Sequence, residues 1–176
     1  MKKIWIALNL VVGPLVLVSY VASAMIWDAE TVGGLWGAVP EAVRPLYTAN
    51  MFFAAGGYFA FGYYLLRCVR PQEVVVFGRF GFGIFVLAYA LVLVGSVLWM
   101  PLTCMAITTA SSALVTLVFA VLWSVAAGSL LLIVALVSAR PRPARRARLV
   151  AIIGSLLFGL QTILLDAIIW PLNFSV

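Results

Sequence analysis

The chain alternates long apolar runs with short polar interruptions. Five runs extend over about Ile4–Ile26, Thr48–Leu66, Phe80–Met100, Ala113–Val137 and Leu149–Trp170. Each reaches the roughly 20 helical residues needed to cross a hydrocarbon layer about 30 Å thick. None shows the period-two alternation of a barrel strand, and backbone polar groups in lipid must be satisfied within the segment, so each run predicts a helix. The expected fold is all-α: a polytopic bundle of five transmembrane helices, forming a single domain over residues 1–176. An outer loop, 27–47, and a basic cytoplasmic loop, 138–148, are the main polar interruptions.

Composition agrees with the pattern. Apolar residues make up 66% of the chain and charged ones 9%, where a soluble domain carries about 25% charged residues. Mean hydropathy is +1.21. Lys2 and Lys3 precede the first run, which ends in Ala22-Ser23-Ala24 and so resembles a signal peptide. Its apolar core is too long for one, and the reading is a retained helix.

The net charge of +6 is distributed by topology rather than over a face. With the N-terminus in the cytoplasm, Lys2, Lys3, Arg67, Arg70, Arg79, Arg140, Arg142, Arg145, Arg146 and Arg148 fall inside and only Arg44 outside. Positive residues resist translocation, so ten against one predicts an N-in, C-out chain and supports an odd number of crossings. The Arg140–Arg148 connection, broken by Pro141 and Pro143, reads as a non-helical loop touching anionic headgroups. No interleaved aromatics accompany it, and no nucleic-acid partner is expected. Arg-over-Lys usage and Ala/Val richness suggest a bacterial protein, which would sit in the inner, cytoplasmic membrane as a multi-pass protein.

Several chemistries are disfavoured. Histidine is absent, which removes the commonest metal ligand and the base of Ser-His and Cys-His pairs. Cys68 and Cys104 fall at opposite membrane faces and read as packing residues. Gly78, Gly81 and Gly83 do not make a dinucleotide fingerprint and open a membrane helix instead. No cofactor, metal site or catalytic residue is expected, and the chain reads as a non-enzyme.

Candidate functional residues gather toward the outer face. Asp166 is the only acidic residue inside a run, and a carboxylate at the centre of a membrane helix costs about 2.5–3.5 kcal/mol on insertion scales. Trp170, one turn on, marks the interface and puts Asp166 roughly 6 Å below it. Gly159, Thr162 and Trp170 share its face on a 3.6-residue helix, whereas Gln161 is about 140° away. A hydrogen-bonded structural carboxylate and a ligand or proton site are both open readings.

In the third run Tyr89, Ser96 and Trp99 form one stripe, and in the second Asn50, Gly57 and Tyr64 recur at helical spacing. Ser124/Gly128 and Gly56/Ala60 are small-xxx-small pairs that permit close helix approach. Asn9 is expected to make an interhelical hydrogen bond, and Pro14 to bend the first helix. The outer loop, with Trp27, Trp36 and Tyr47, reads either as an anchored interfacial segment or as a lid, with a short helix starting at Pro40-Glu41.

The Val97-Leu98-Trp99-Met100-Pro101 stretch resembles the Trp-x-Pro at the end of the third helix in the translocator protein (TspO/MBR, tryptophan-rich sensory protein) family. Pro40 to Tyr47 leading into the second helix and Leu172-Asn173-Phe174 at the C-terminus are further echoes, and helix order and chain length match. The family's Trp-x-Pro-Pro loop motif is missing, and Ser96 and Val97 stand where its Asn precedes the tryptophan. The resemblance implies a pocket within the bundle, closed by the first outer loop, for porphyrins, sterols or similar amphipathic molecules, with Trp99 lining it.

Three functions follow as expectations. The first is a membrane protein binding a hydrophobic or amphipathic small molecule at Trp99, Asp166, Asn50, Trp36, Trp170 and Tyr89. The second is an accessory subunit, with a membrane-complex partner or a second copy docked on its small-residue faces. The third is a small transporter coupling substrate to protons at Asp166.

Overall fold

The computed structural model describes residues 1–176. Helix α1 spans Lys2–Ile26, α2 Ala29–Gly34, α3 Arg44–Arg67, α4 Gly83–Thr109 and α5 Ser112–Ser138. Helix α6, Arg145–Gly159, runs directly into a π-helical segment, Leu160–Ile169, and a last α-turn, α7, Trp170–Leu172. The fold is all-helical; its only β-type pairings are isolated bridges, Val75 with Arg140 and Val76 with Phe80.

Four elements, α1, α4, α5 and the continuous rod Arg145–Leu172, are long and apolar enough to cross a membrane. They mark the chain as a multi-pass membrane protein. Helix α3 has 24 residues and no charge between Arg44 and Arg67. Its glycines, tyrosines, Thr48 and Asn50 make it less apolar than the other four.

The helices depart from the expected boundaries for local reasons. The third long helix does not stop at Met100 but continues through Pro101 to Thr109. Proline removes one donor, which a membrane helix tolerates when other groups compensate. The carbonyl that Pro101 leaves free is that of Val97, while one turn on the Thr103 hydroxyl donates back to the Trp99 carbonyl at 2.7 Å. The basic connection is shorter than expected, because α6 starts at Arg145 and Arg145, Arg146 and Arg148 are helical. Arg148 donates to the carbonyls of Leu136 and Val137 at 3.2 and 2.7 Å, satisfying acceptors left free at the end of α5.

In the loop between α1 and α3, the short helix forms at Ala29–Gly34 rather than at Pro40-Glu41. Asp28 caps it, accepting from the Thr31 N–H at 2.7 Å, and Glu30 sits in its first turn, where a negative charge is favourable. Pro40 to Val43 closes instead as a turn, with Val43 N–H to Pro40 carbonyl at 2.9 Å.

Helix α1 packs on α4, α4 on α5, α5 on α6 and the π segment, and α6 on α3. The closest approach is between α3 and α6 at Gly57 and Gly154. A Cβ on Gly154 would meet the Gly57 Cα at 2.8 Å, and one on Gly57 would overlap the Gly154 carbonyl. Gly128 likewise lets α5 reach the α4 backbone at Ala88. Gly57, Gly128 and Gly154 therefore serve packing within this chain, whereas Gly56 faces open space.

Two cores result. The larger surrounds Trp5, Phe61, Tyr64, Phe85, Tyr89 and Leu132, nearer the end that carries the basic residues. The smaller surrounds Tyr47, Val118, Leu122, Ala167, Trp170 and Phe174, with Trp36 and Trp99 against it. It lies at the opposite end, beneath the Trp27–Val43 loop. That loop is bound down: Ala38 N–H donates to the Asn173 carbonyl at 2.6 Å. Gly37, at φ +52°, makes this approach possible, since a Cβ there would strike the Asn173 carbonyl.

Candidate functional site

The loop end gathers five of the six candidate ligand residues. Asp166 lies in the π-helical segment, whose backbone bonds run between residues five apart rather than four. That winding brings Gln161 one turn beneath Asp166. Gln161 Nε2 donates to Asp166 Oδ1 at 2.7 Å, and Gln161 Oε1 accepts from Asn50 Nδ2 of α3 at 3.0 Å. The expectation that Gln161 faces away from Asp166 is therefore overturned, because it assumed 3.6 residues per turn where the helix is wider.

Thr162 and Gly159, expected on the Asp166 face, meet α5 instead. The Thr162 hydroxyl donates to Ser129 Oγ at 2.8 Å, and a Cβ on Gly159 would meet Ile133 at 2.7 Å.

Aromatic groups enclose this polar chain. The phenols of Tyr20 on α1 and Tyr47 on α3 lie within electrostatic range of the Asp166 carboxylate. Tyr47 donates to the Leu165 carbonyl at 3.2 Å, while Tyr20 stands edge-on to Trp99, centroids 5.9 Å apart. Trp99 is 6.2 Å from Trp170, which stacks on Phe174 at 4.2 Å. The Trp170 indole donates to the Leu35 carbonyl at 2.8 Å, tying the loop to the final turn. Trp36 stands edge-on to Tyr47 at 6.0 Å and carries the Arg44 guanidinium over its ring at 5.6 Å. Trp123, which the sequence reading did not single out, donates to the Ala167 carbonyl at 3.1 Å.

Two polar groups at this end are buried without a protein partner: the Trp99 indole N–H and the Ser23 hydroxyl. A buried polar group that lacks a partner costs about 1–3 kcal/mol, so these positions stand out from the satisfied network beside them. Asp166 takes one protein hydrogen bond, from Gln161, and forms no ion pair. A carboxylate has about four acceptor sites, which leaves capacity for a further donor.

Tyr89 does not belong here. It lies in the larger core, 5.1 Å from Trp5 and 5.6 Å from Tyr58, and is 1% exposed. The helical stripe gave its angular position but not its depth; ten residues separate it from Trp99, about 15 Å along an α-helix. Asn9 makes the interhelical bond expected of it, accepting from the Tyr58 hydroxyl. Cys68 and Cys104 are both free and lie near opposite ends of the bundle.

The two principal cavities lie away from Asp166. One, about 330 Å³, is at the basic end between Arg67–Val74 and the Pro141–Pro143 turn. The other, about 420 Å³, is an open apolar groove between α4 and α5, lined by Leu91, Val94, Gly95, Leu98, Val121 and Ser124 among others. The aromatic end is covered by the loop, tied down through Trp170 to Leu35 and Ala38 to Asn173. No family model, curated protein or solved structure matches the chain.

Proposed function

We propose that this chain is a binding protein rather than an enzyme: a five-span, N-in, C-out protein of a bacterial cytoplasmic membrane that takes the polar head of an amphipathic molecule at its loop end. Helix α3 supplies the fifth span in this reading. Its uncharged length exceeds the roughly 20 residues a crossing needs, and large apolar side chains such as Phe52, Phe53 and Phe59 are exposed along it.

One observation carries the ligand reading. The Asn50–Gln161–Asp166 hydrogen-bond chain, set in a π-helical segment, ends beside an aromatic enclosure in which the Trp99 N–H has no acceptor. π-Helical turns recur at functional sites, and the enclosure offers a donor at Trp99 and an acceptor at Asp166. The rings supply apolar contact for a porphyrin-, sterol- or lipid-like body, in keeping with the resemblance to the translocator protein family. Since the loop covers the end, entry requires the Trp36 loop to swing aside.

The alternatives draw less support. An accessory subunit would dock through its small-residue faces; of the two pairs, Gly128 and Ala60 are already used between helices of this chain, and Gly56 is left facing open space. Proton-coupled transport would need a relay, and Asp166 is joined to two neutral amides rather than to a second titratable group.

The test is thermal unfolding of the purified protein in detergent with protoporphyrin IX, cholesterol and lysophosphatidylcholine. A ligand at 100 times its Kd stabilises the folded state by about 2.7 kcal/mol. The expected result is an upward shift with at least one of the three that is lost in Asp166→Asn. Absence of a shift with all three, or an equal shift in the variant, rejects the site.

A further inference from the structure

The basic end holds a second feature that the loop-end reading does not use. Between the end of α3 and the Pro141–Pro143 turn lies the cavity of about 330 Å³, lined by Arg67, Cys68, Val69, Arg70, Glu73 and Val74 together with the two prolines. Its wall contains two guanidinium groups and one carboxylate. That carboxylate is committed: Arg70 Nη1 is 3.0 Å from Glu73 Oε1.

No other acid lies nearby. The chain has five acidic residues, and the remaining four, Asp28, Glu30, Glu41 and Asp166, are at the loop end or in its wall. Arg67, Arg140 and Arg142 therefore have no ion-pair partner. The Arg142 guanidinium is held below its ordinary value, first by loss of water and then by the like charges of Arg140 and Arg148. Cations crowded in this way call for an anion with several oxygens, and guanidinium matches phosphate through paired hydrogen bonds.

The surroundings indicate where that phosphate comes from. Val75 and Arg140 exchange backbone hydrogen bonds of 2.8 and 2.9 Å, which joins the Val75–Phe80 turn to the rim of the cavity. That turn exposes Phe77 and Phe80, with the Arg79 guanidinium 4.6 Å from the Phe80 ring centroid. Exposed phenylalanines beside arginines suit a segment lying at the boundary of headgroups and acyl chains, where apolar side chains enter the lipid and basic ones meet the headgroups. A soluble phosphate would have no use for them, whereas a lipid places its glycerol and upper acyl chain against such rings.

We infer that the cavity between Arg67–Val74 and Pro141–Pro143 is a binding site for the phosphate headgroup of an anionic phospholipid, gripped by Arg67 in its wall and met by Arg142, exposed between the two lining prolines, with Phe77 and Phe80 on the adjoining turn. Basic pockets between membrane helices on the cytoplasmic side are a known way of holding such headgroups. The site is separate from the loop-end ligand site, and neither depends on the other being correct.

The experiment uses the full chain in a neutral detergent, titrated with short-chain phosphatidylglycerol, with phosphatidylcholine of the same chain length, and with soluble glycerol 3-phosphate. Lipid retention is read by native mass spectrometry and stability by thermal unfolding. Phosphatidylglycerol is expected to bind at one saturable site and raise the melting temperature. Arg67→Gln and Arg142→Gln should each weaken binding about fivefold, the effect of one basic residue near an anionic surface. Lys3→Gln, which removes the same charge away from the cavity, should leave binding unchanged.

Equal losses in all three variants would mean diffuse charge attraction and overturn the site. An equal response to glycerol 3-phosphate would overturn the lipid assignment, as would an equal response to phosphatidylcholine. Should a variant fail to fold, the single retained phosphatidylglycerol on the unaltered protein, and its loss in high salt, still decide the question.

Discussion

The two cores of this bundle are built from the same helices and treat charge in opposite ways. In the larger core Tyr58, Phe61, Tyr89, Trp5 and Phe158 make a nest of edge-on and tilted rings, with centroids 5.1 to 6.3 Å apart. At the loop end three polar side chains, Asn50, Gln161 and Asp166, run in series through comparable aromatic packing. The first is held by ring packing and contains no charge, although the Trp5 N–H and the Tyr89 hydroxyl are buried in it without partners. The second keeps a carboxylate that stability alone would discard. The contrast lies in the charge: both cores bury neutral polar atoms without partners, but only the loop end keeps a carboxylate, which is costly to hold in lipid.

Substitutions should separate the two cores, and the largest effect belongs to the larger core. Phe61→Ala removes a ring that is 1% exposed and should cost about 3–5 kcal/mol, read as a fall in melting temperature, with ligand response at the loop end kept at temperatures where the protein is folded. A loss below about 1 kcal/mol, outside that range, would show that the ring nest is not the structural anchor.

A smaller effect is expected for Gln161→Leu, which strands Asn50 and Asp166 together. Leaving buried groups unpaired should cost about 1–3 kcal/mol, and a double-mutant cycle with Asn50→Ala should show that the two residues are coupled. Additive losses would contradict a connected chain. Trp99→Phe removes an N–H that has no acceptor while keeping most of the ring. Stability should change by less than about 1 kcal/mol, below the cost of breaking a made hydrogen bond to a buried group, while ligand affinity falls. A large loss of stability with affinity intact would assign Trp99 to packing.

The smallest effect is at the surface of the loop. The Asp28 carboxyl is held below its usual value of 3.8 by the backbone N–H and hydroxyl of Thr31. A depressed carboxyl pKa adds stability above the unfolded-state value, and that stability is lost as pH falls through the folded value. Amide protection in Ala29–Gly34, taken relative to the intrinsic exchange rate at each pH, should therefore fall below about pH 4, close to the reference carboxyl range, and Asp28→Asn should remove that pH dependence. Unchanged protection down to pH 2 in the unaltered protein would refute the cap.

Much of the fold was legible in the apolar runs, because lipid leaves a long hydrophobic segment few options but helix. Helix ends were less legible. Pro101 reads as a stop in water, yet α4 passes through it, and Arg145 reads as loop, yet it starts α6. The candidate site was half legible. Asp166, Trp99, Trp170, Asn50 and Trp36 were found by charge, aromaticity and depth, and they converge. Gln161 was placed on the wrong face because nothing in Leu160–Ile169 announces π winding, and Tyr89 was misplaced because periodicity reports angle and not height. The cavity at the basic end left only a trace in the sequence, an excess of arginine over acid that topology alone seemed to explain.

Both ends take their functional meaning from the side of the membrane they face. The most direct measurement is side-specific labelling of single cysteines, with Cys68 and Cys104 replaced by Ala and one cysteine introduced at Leu172 or at Arg142. The account requires a membrane-impermeant thiol reagent added to intact cells to label the Leu172 position and not the Arg142 position, with the reverse in inside-out vesicles. The reversed pattern, with Arg142 labelled from outside and Leu172 from within, would mean that α3 does not cross or that the chain is inverted, labelling of both from one side would mean that the Arg145–Leu172 rod does not cross, and either would contradict the assignment of a ligand site outside and a lipid-phosphate site within.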